Sequence, residues 1–583
     1  DGSITAVCQL FANNYYRSLF HVLPPCASPP PPTTTNTNII ITEQSHSDLC
    51  HRRVQVLINS IAPADIAAFS SATSSVVAAS ACASGPGSPS CFHRGNTTDI
   101  MAPAALERLT QCGQGHVFQY WDELSDEEKR TLEQQVAELE SSSKGGFASL
   151  KPTLEDALKK HEEARTGEIE GPPAAWLAKA DGSDLVAEAR WEGLGLDLIA
   201  AGKCAACVLA GGMGTRLGSS FPKGMLGDPE TTNEPFLPSN KSLFQVYSER
   251  IRTLQRRAKE KAGLDKEPVI MFLVMTGEPT HAAIVEFFQA RQFFGLQPEQ
   301  VIFFPQGVMP CFGLDGKVLM ESKGRIAVSP DGNAGIYAAL RRQGVLGKLE
   351  FSGVQWVQVF SVDNVLIRVA DPVWFGYCEE TQADVVVKSV PKRDWSEAVG
   401  VVTLRGGKPG VIEYSEIGEE RAKETTASGE LRYNAANICL QAYSLDFLSG
   451  PAQDYPTIWH VAKKDIPTVD GKTPGIKLEG FIFDVFEVAR NFRLLQVDRS
   501  SEFSAIKNAS DSGKPDTPQT ALISLSRLHR KWLRAAGAPI PEDDGEQGLE
   551  AVCEISPLLT YRGEGLTEVA KTVDPAANPI LLQ

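Results

Sequence analysis

The spacing of apolar positions changes along this chain, and each change marks a region. From Met101 to about residue 200 the period is helical. After the capping box Ser125-Asp-Glu-Glu128, the apolar side chains Leu132, Val136 and Leu139 recur at three- and four-residue intervals and share one face. Acidic residues crowd the first turn of this helix, where its dipole favours them. From about Cys204 to Val497 the pattern becomes short apolar runs at 205–210, 269–275, 301–304, 354–360 and 384–390, separated by helical stretches such as 242–257 and 281–294. Strands apolar at every position are buried on both faces, so the pattern predicts an α/β fold with a mostly parallel sheet between helical layers. In such a fold the ligand lies beyond the carboxyl ends of the strands. A last helical stretch over 520–536 is followed by loops and short extended pieces. The expected division is a helical subdomain over 101–200, an α/β core over 201–500 and a small C-terminal domain over 501–583.

Residues 1–100 follow none of these periods. They contain no Lys, four Arg, five acidic residues, the proline run Pro29 to Pro32 and tracts rich in Thr/Asn and Ser/Ala. Such a stretch buries too little apolar area to offset its ordering entropy, and the expectation is a disordered leader. Two origins fit it: upstream sequence read through, with Met101 the start, or an organellar transit peptide.

Charge and cysteine usage narrow the function classes. The formal net charge is -16, which disfavours a nucleic-acid or anionic-membrane partner, although a small basic pocket for a phosphorylated metabolite remains compatible with it. The longest charge-free run, residues 66–93, is rich in Ala, Ser and Gly and suits no membrane span. Twelve cysteines lie scattered without a framework, as in a reducing, cytoplasmic setting. Cys204 and Cys207 have C-x-x-C spacing, but they sit in a buried-strand pattern where positions three apart point to opposite faces; they read as core thiols.

The motif richest in chemistry is Leu209-Ala-Gly-Gly-Met-Gly-Thr-Arg-Leu-Gly218, followed by Phe221-Pro-Lys-Gly224. A buried strand runs straight into a loop whose Gly211, Gly212 and Gly214 let backbone N–H groups approach phosphate oxygens. Arg216 and Lys223 add two cations for charge that redistributes during phosphoryl chemistry. The spacing is neither a dinucleotide fingerprint, which wants G-x-G-x-x-G, nor a Walker loop, which wants Ser or Thr after the lysine.

Two further blocks follow. Val301-Ile-Phe-Phe-Pro-Gln-Gly307 is followed by Pro330-Asp-Gly-Asn-Ala-Gly335, where Gly332 and Asn333 open a helix bearing Ile336, Ala339 and Leu340. A glycine there lets a flat base lie against backbone; an ordinary helix start with an Asn cap reads equally well. In Val359-Phe-Ser-Val-Asp-Asn364, Asp363 lies just past a strand, where a carboxylate can hold Mg2+ against a phosphate or simply be solvated.

With these blocks in this order, the chain from about Met101 to its end resembles the eukaryotic UDP-N-acetylglucosamine pyrophosphorylases. Their loop is similar to L-A-G-G-Q-G-T-R-L-G with a following P-K-G, whereas the related UDP-glucose pyrophosphorylases carry a different loop. The resemblance implies a Rossmann-like nucleotidyltransferase core that joins UTP to an N-acetylhexosamine 1-phosphate and releases pyrophosphate, with Mg2+ as cofactor. It implies that Gln306, Gly332 and Asn333 contact the uridine and that Asp363 binds the metal, with Asp484 a weaker second ligand. It places Gly400, Glu413, Tyr414, Asn437, Phe481 and Phe483 around the hexosamine, and Lys507 on a phosphate. Phe481 and Phe483 are expected on one face of a strand. The chain departs from the family pattern at Ala334 and Ala436, each in place of Gly, at Ala398 in place of Pro, and at Ala505-Ile506 in place of Pro-Leu. The rival classes are a non-catalytic UDP-sugar binder and a nicotinamide-dependent dehydrogenase, the latter disfavoured by the loop spacing. N-acetylglucosamine and N-acetylgalactosamine 1-phosphate both fit, and the sequence is silent on oligomeric state.

Overall fold

The computed structural model describes residues 101–142, 145–163, 168–232, 236–541 and 552–583, all within one contact-defined unit. The leader expected over 1–100 lies outside the described residues, apart from the boundary at Met101.

Three helices open the described chain: α1 (Met101–Gln111), α2 (Asp126–Ser142) and α3 (Gly146–Glu163). The box expected at the start of α2 is formed, with Ser125 N–H donating to Glu128 Oε2 at 2.8 Å and Glu128 N–H to Ser125 Oγ at 3.3 Å. The apolar faces of these helices pack on Met309, Phe312, Ile326, Ile476 and Leu478, which come from small antiparallel pieces inserted in the α/β core. The strand β1 (Leu177–Ala180) and helix α4 (Leu185–Ala200) belong elsewhere: β1 pairs in the central sheet and α4 covers one of its faces. The helical subdomain therefore gives way to the α/β layers before residue 200.

The central sheet contains β1, β2 (Cys204–Leu209), β3 (Met271–Thr276), β4 (Val301–Pro305), β5 (Trp356–Ser361), β6 (Val385–Pro391), β7 (Ala435–Ser444) and β8 (Phe492–Val497), in the spatial order β1-β8-β6-β7-β5-β2-β3-β4. β7 runs antiparallel to both β5 and β6, and the other pairings along this order are parallel. β7 enters the sheet at the end where its neighbours finish, so its first residues join the ligand side. The two faces bury separate cores. Cys204, Ala206 and Val208 pack under α4, α5 (Leu243–Ala262), α6 (His281–Ala290) and α8 (Pro372–Thr381), whereas Ala205 and Cys207 face α7 (Gly335–Arg342). The two cysteines are thus core thiols on opposite faces. α4 and α8 touch backbone to backbone, since a Cβ on Gly195 would overlap Pro372 and one on Gly376 would overlap Trp191.

α6 stops at Ala290 rather than continuing to 294. Gln292, Phe293 and Phe294 all take φ near +50°, which places the Phe294 ring 5.7 Å from Phe287 and 5.2 Å from Phe288. Aromatic burial offsets the strain of these left-handed residues. The long helix α9 (Pro518–Ala535) is capped by Thr517. Ala521, Leu525 and Leu528 pack on the main core, and Leu533 on a small C-terminal cluster with Cys553, Ile555 and Ile580.

Candidate active site

The glycine loop leaves β2 at the carboxyl end of the sheet. It closes on itself through Gly214 N–H to Phe221 C=O at 3.1 Å and a bridge between Met213 and Pro222. Gly211 lies against its neighbours: a Cβ there would stand 3.1 Å from Gln306 Oε1 and 3.2 Å from Gly277 N, so the turns after β2, β3 and β4 meet. Gly212 faces open space. Gly224 is required for packing, because a Cβ would enter the Phe244 ring. Arg216 is exposed on a single helical turn and makes no ion pair among the described residues. Lys223 is half-buried, with Nζ 3.8 Å from Asp363 Oδ2.

Asp363 follows β5, and the next residue locks it to a distant segment. Asn364 Nδ2 donates to Glu502 C=O at 2.7 Å, and its Oδ1 accepts from Ser504 N–H at 3.0 Å. Ile506 N–H donates to Asp363 C=O at 2.9 Å, which brings Lys507 onto the same side as Asp363. Lys507 Nζ is 3.8 Å from Asp516 Oδ2. Between these groups lies Cys439, on a β7 irregularity with φ +54°. Burial pushes its thiol up to about 12, assisted by the negative charges of Asp363 and Glu413 and opposed by Lys507. One thiol thus senses the candidate metal ligand, a sugar-side carboxylate and the phosphate-side lysine.

On the base side, Asn333 does not cap α7. Its Oδ1 accepts from Ile482 N–H at 2.8 Å, tying the 331–335 turn to the segment after Gly480. Gly332 has φ +87° and bridges Gly480 so closely that a Cβ would overlap its carbonyl. The Asp331 carboxyl is wedged between Gly307 and Gly335; burial raises it to about 6 against the pull of Arg342. Phe481 and Phe483 are not on a strand. The strand ends at Gly480, and the chain turns so that their rings meet at 5.1 Å. Phe483 is core. Phe481 stacks on His460, centroids 4.0 Å apart. Asp484 accepts from His460 Nε2 at 2.9 Å and from Phe481 N–H at 3.3 Å. Among the described residues, no three His, Cys, Asp or Glu side chains converge as a metal cage.

The remaining candidates gather at the start of β7. Asn437 N–H donates to Gly400 C=O at 2.8 Å, and Asn437 is paired with Ser389 at the end of β6. A Cβ on Gly400 would stand 3.0 Å from Glu413 Oε1, so the absent side chain leaves room for that carboxylate. Burial and the neighbouring Glu416 raise the Glu413 carboxyl, with His460 and Lys507 opposing. Tyr414, 55 % exposed, borders this group from outside.

A glycine loop, a Lys–Asp pair and a buried Glu–Asn pocket thus share one end of the sheet. The family model described as UTP–glucose-1-phosphate uridylyltransferase matches residues 159–532. The chain belongs to this family. It is 37% identical over 478 residues to "UDP-N-acetylglucosamine diphosphorylase 1" of Arabidopsis thaliana, covering 80% of this chain and 91% of that one. Its identity to "UDP-N-acetylglucosamine pyrophosphorylase" of Saccharomyces cerevisiae is 37% over 476 residues, covering 79% and 95%. Among solved structures, it matches the uridine diphosphate N-acetylglucosamine pyrophosphorylase of Trypanosoma brucei, in complex with an inhibitor, with TM-score 0.72 and 33% identity over 86% of this chain and 99% of that chain. The chain is accordingly a nucleotidyltransferase.

Within this uridylyltransferase framework, sequence reading missed three supports. Cys439 looked like one more scattered thiol, and His460 lay in no motif. Lys388, fully buried on β6, is held at 2.5 Å by both Asp371 and Glu502, while Arg368 takes the second Glu502 oxygen at 3.0 Å. A lysine inside the run 384–390 was the available signal, since an unpaired buried cation is prohibitively costly.

Proposed function

We propose that the chain transfers the uridylyl group of UTP to N-acetylglucosamine 1-phosphate, giving UDP-N-acetylglucosamine and pyrophosphate. The observation that carries this is the convergence of Lys223, Asp363 and Lys507 with the Gly400–Glu413–Asn437 group at the ends of β2, β5 and β6. The named relatives favour the amino sugar over glucose, the sugar in the family model's description.

The sugar phosphate oxygen is already an anion, so one in-line displacement at the α-phosphorus suffices. The chain's task is to hold two mutually repelling anions in line. Gly211 and Gly212 offer backbone N–H groups to the triphosphate, Gly214 closes the loop through its hydrogen bond to Phe221, and Lys223 with the exposed Arg216 balances the leaving pyrophosphate. Gln306, Gly332 and Asn333 receive the uracil. Glu413 and Asn437 suit sugar hydroxyl and acetamido groups, with Phe481 beside them, and Lys507 holds the sugar phosphate. Mg2+ would be held by Asp363 together with UTP oxygens, since this ion commonly takes one or two carboxylates plus substrate phosphates, and it would neutralise charge at the α-phosphate. Asp363 is half-buried at a strand end beside one cation, which suits that donor set. Asp484 is engaged by His460 and orients Phe481 instead. The free thiols among the described residues suit a cytoplasmic setting.

The test is pyrophosphate release from UTP and Mg2+ with N-acetylglucosamine 1-phosphate, its galacto epimer and glucose 1-phosphate in parallel. The first is expected to dominate. Release chiefly with glucose 1-phosphate overturns the sugar assignment, and UDP-sugar binding without release overturns the enzymatic one.

A further inference from the structure

A separate cavity, of about 630 Å³, opens between the segment after β8 and helix α9. None of the groups assigned above to UTP, metal or sugar lines it. Its walls carry Arg393, Arg499, Arg527, Lys531 and Arg534. Against these stand Asp498 and Asp516 in the wall, with Glu397 behind, bound to Arg499 at 2.9 Å and to Arg393 at 3.6 Å. The local charge is positive in a chain whose net charge is -16.

The arrangement on α9 is periodic. Thr520, Ser524, Arg527, Lys531 and Arg534 recur at three- and four-residue intervals, so hydroxyls and cations form one stripe facing the cavity. Like charges at this spacing repel, which favours an anion placed between them. Asp498 offers little relief: its carboxylate accepts from Ser500 N–H, Ser500 Oγ and Ser501 Oγ and stands 3.9 Å from Lys531. Arg534 uses one nitrogen on Pro541 C=O at 2.9 Å. Arginine forks around a cavity of this size suit phosphate oxygens, and their number suits more than one phosphate group.

We propose that this cavity binds an anion carrying two or more linked phosphates, at a site separate from the glycine loop. The opposite wall, Phe503 to Ala505, continues into Ile506 and Lys507, and Asp516 of the cavity accepts from the Lys507 N–H. An occupant is therefore placed to steady the backbone that carries Lys507.

The experiment is isothermal titration of the full chain with inorganic tripolyphosphate, in EDTA so that no transfer occurs and with UDP-N-acetylglucosamine filling the uridine and sugar positions. The leaving-pyrophosphate position beside Lys223 is the same in wild type and variant, so the difference between them reads the cavity. Separate arms with ATP and with inorganic pyrophosphate identify the source by which binds tightest. The equivalent bound in the cavity is expected to weaken at least tenfold in the triple variant R527Q/K531Q/R534Q and to weaken with rising salt. No binding, or equal binding by wild type and the triple variant, overturns the proposal. Should the triple variant not fold, exposed Lys531→Gln alone is expected to weaken binding threefold or more, and unchanged affinity overturns it equally. The comparison of variants reads the cavity whatever occupies the glycine loop, so a failed uridylyltransferase assay leaves this test intact.

Discussion

Replacing Gly332 by Ala tests the base side of the site most directly. Gly332 adopts φ +87°, and a Cβ would overlap Gly480 O, lie 2.6 Å from Gly480 N and 3.1 Å from Glu479 C. The left-handed backbone alone costs about 1–2 kcal/mol for a non-glycine residue. Relieving the overlap separates two segments joined by Gly480 N–H to Asp331 C=O at 2.9 Å and Ala334 N–H to Gly480 C=O at 3.1 Å. Losing both adds about 1–3 kcal/mol. The total is about 2–5 kcal/mol, and its route is open to measurement. If the segments stay packed, the strain lowers global stability. If the 331–335 turn swings away, stability falls only by the lost hydrogen bonds, but Asn333 leaves the uridine position and UTP affinity falls, by about 100-fold for a 3 kcal/mol loss. Denaturant unfolding and UTP titration on wild type, Gly332→Ala and Gly212→Ala separate these routes. Gly212 meets nothing within 4 Å, so Gly212→Ala is expected to keep the wild-type unfolding midpoint. A Gly332→Ala protein with midpoint and UTP affinity both unchanged would refute the reasoning.

Lys223→Gln removes the cation beside Asp363 and is expected to lower kcat by about 100-fold, as loss of a preorganised donor does; a loss under threefold in steady-state assays counts against its role. Asp331 titrates near 6 when folded, against an ordinary value of 3.8. The native state therefore holds its proton more tightly, and this carboxyl's contribution to stability falls as pH rises from about 4 through 6, by about 3 kcal/mol in all. The stability of wild type minus that of Asp331→Asn, measured by denaturant unfolding from pH 4 to 8, should fall and then level off; a flat difference contradicts the assignment. Lys388→Met leaves Asp371 and Glu502 buried without their shared cation and should cost about 3–5 kcal/mol, read as a shifted unfolding midpoint. His460→Ala removes a stacked ring worth about 0.5–1.5 kcal/mol and frees Asp484, so KM for the sugar phosphate should rise several-fold with kcat retained. Equal losses in both constants would place His460 elsewhere in the reaction.

Five of the eight central strands were legible because a parallel sheet covered on both faces needs continuous apolar runs; β1, β7 and β8, with polar residues interspersed, were not among those runs. The glycine loop was legible because each residue type has a separate physical use. Two features resisted. The direction of β7 is not encoded in its apolar pattern, so nothing in the sequence alone brought Asn437 beside Ser389. Phe481 and Phe483 have strand spacing, but Gly480 ends the strand and Asp484 draws the Phe481 N–H into a turn, so the alternation gave the wrong geometry. Ala436, which stands where the family pattern has Gly, is fully buried in the sheet core.

The groups proposed to hold the metal and the sugar phosphate come from segments far apart in the chain, and local structure alone cannot fix the distance between them. Asp363 follows β5 and Lys507 follows β8, with β7 and β6 lying between those two strands. Asn364 spans this gap by holding Glu502 C=O and Ser504 N–H, while the Glu502 side chain is pinned from beneath by Lys388 of β6 and by Arg368. A buried ion cluster is weak evidence for stability as such, because well-packed apolar residues often serve as well. It does fix geometry: the short Lys388 contacts leave the Glu502 backbone little freedom, and Asn364 transmits that position to Asp363. Two anions that repel one another react in line only if the groups holding them cannot drift apart. The cost of burying these charges beneath the site is thus best understood as the means by which Asp363 and Lys507 are held in register.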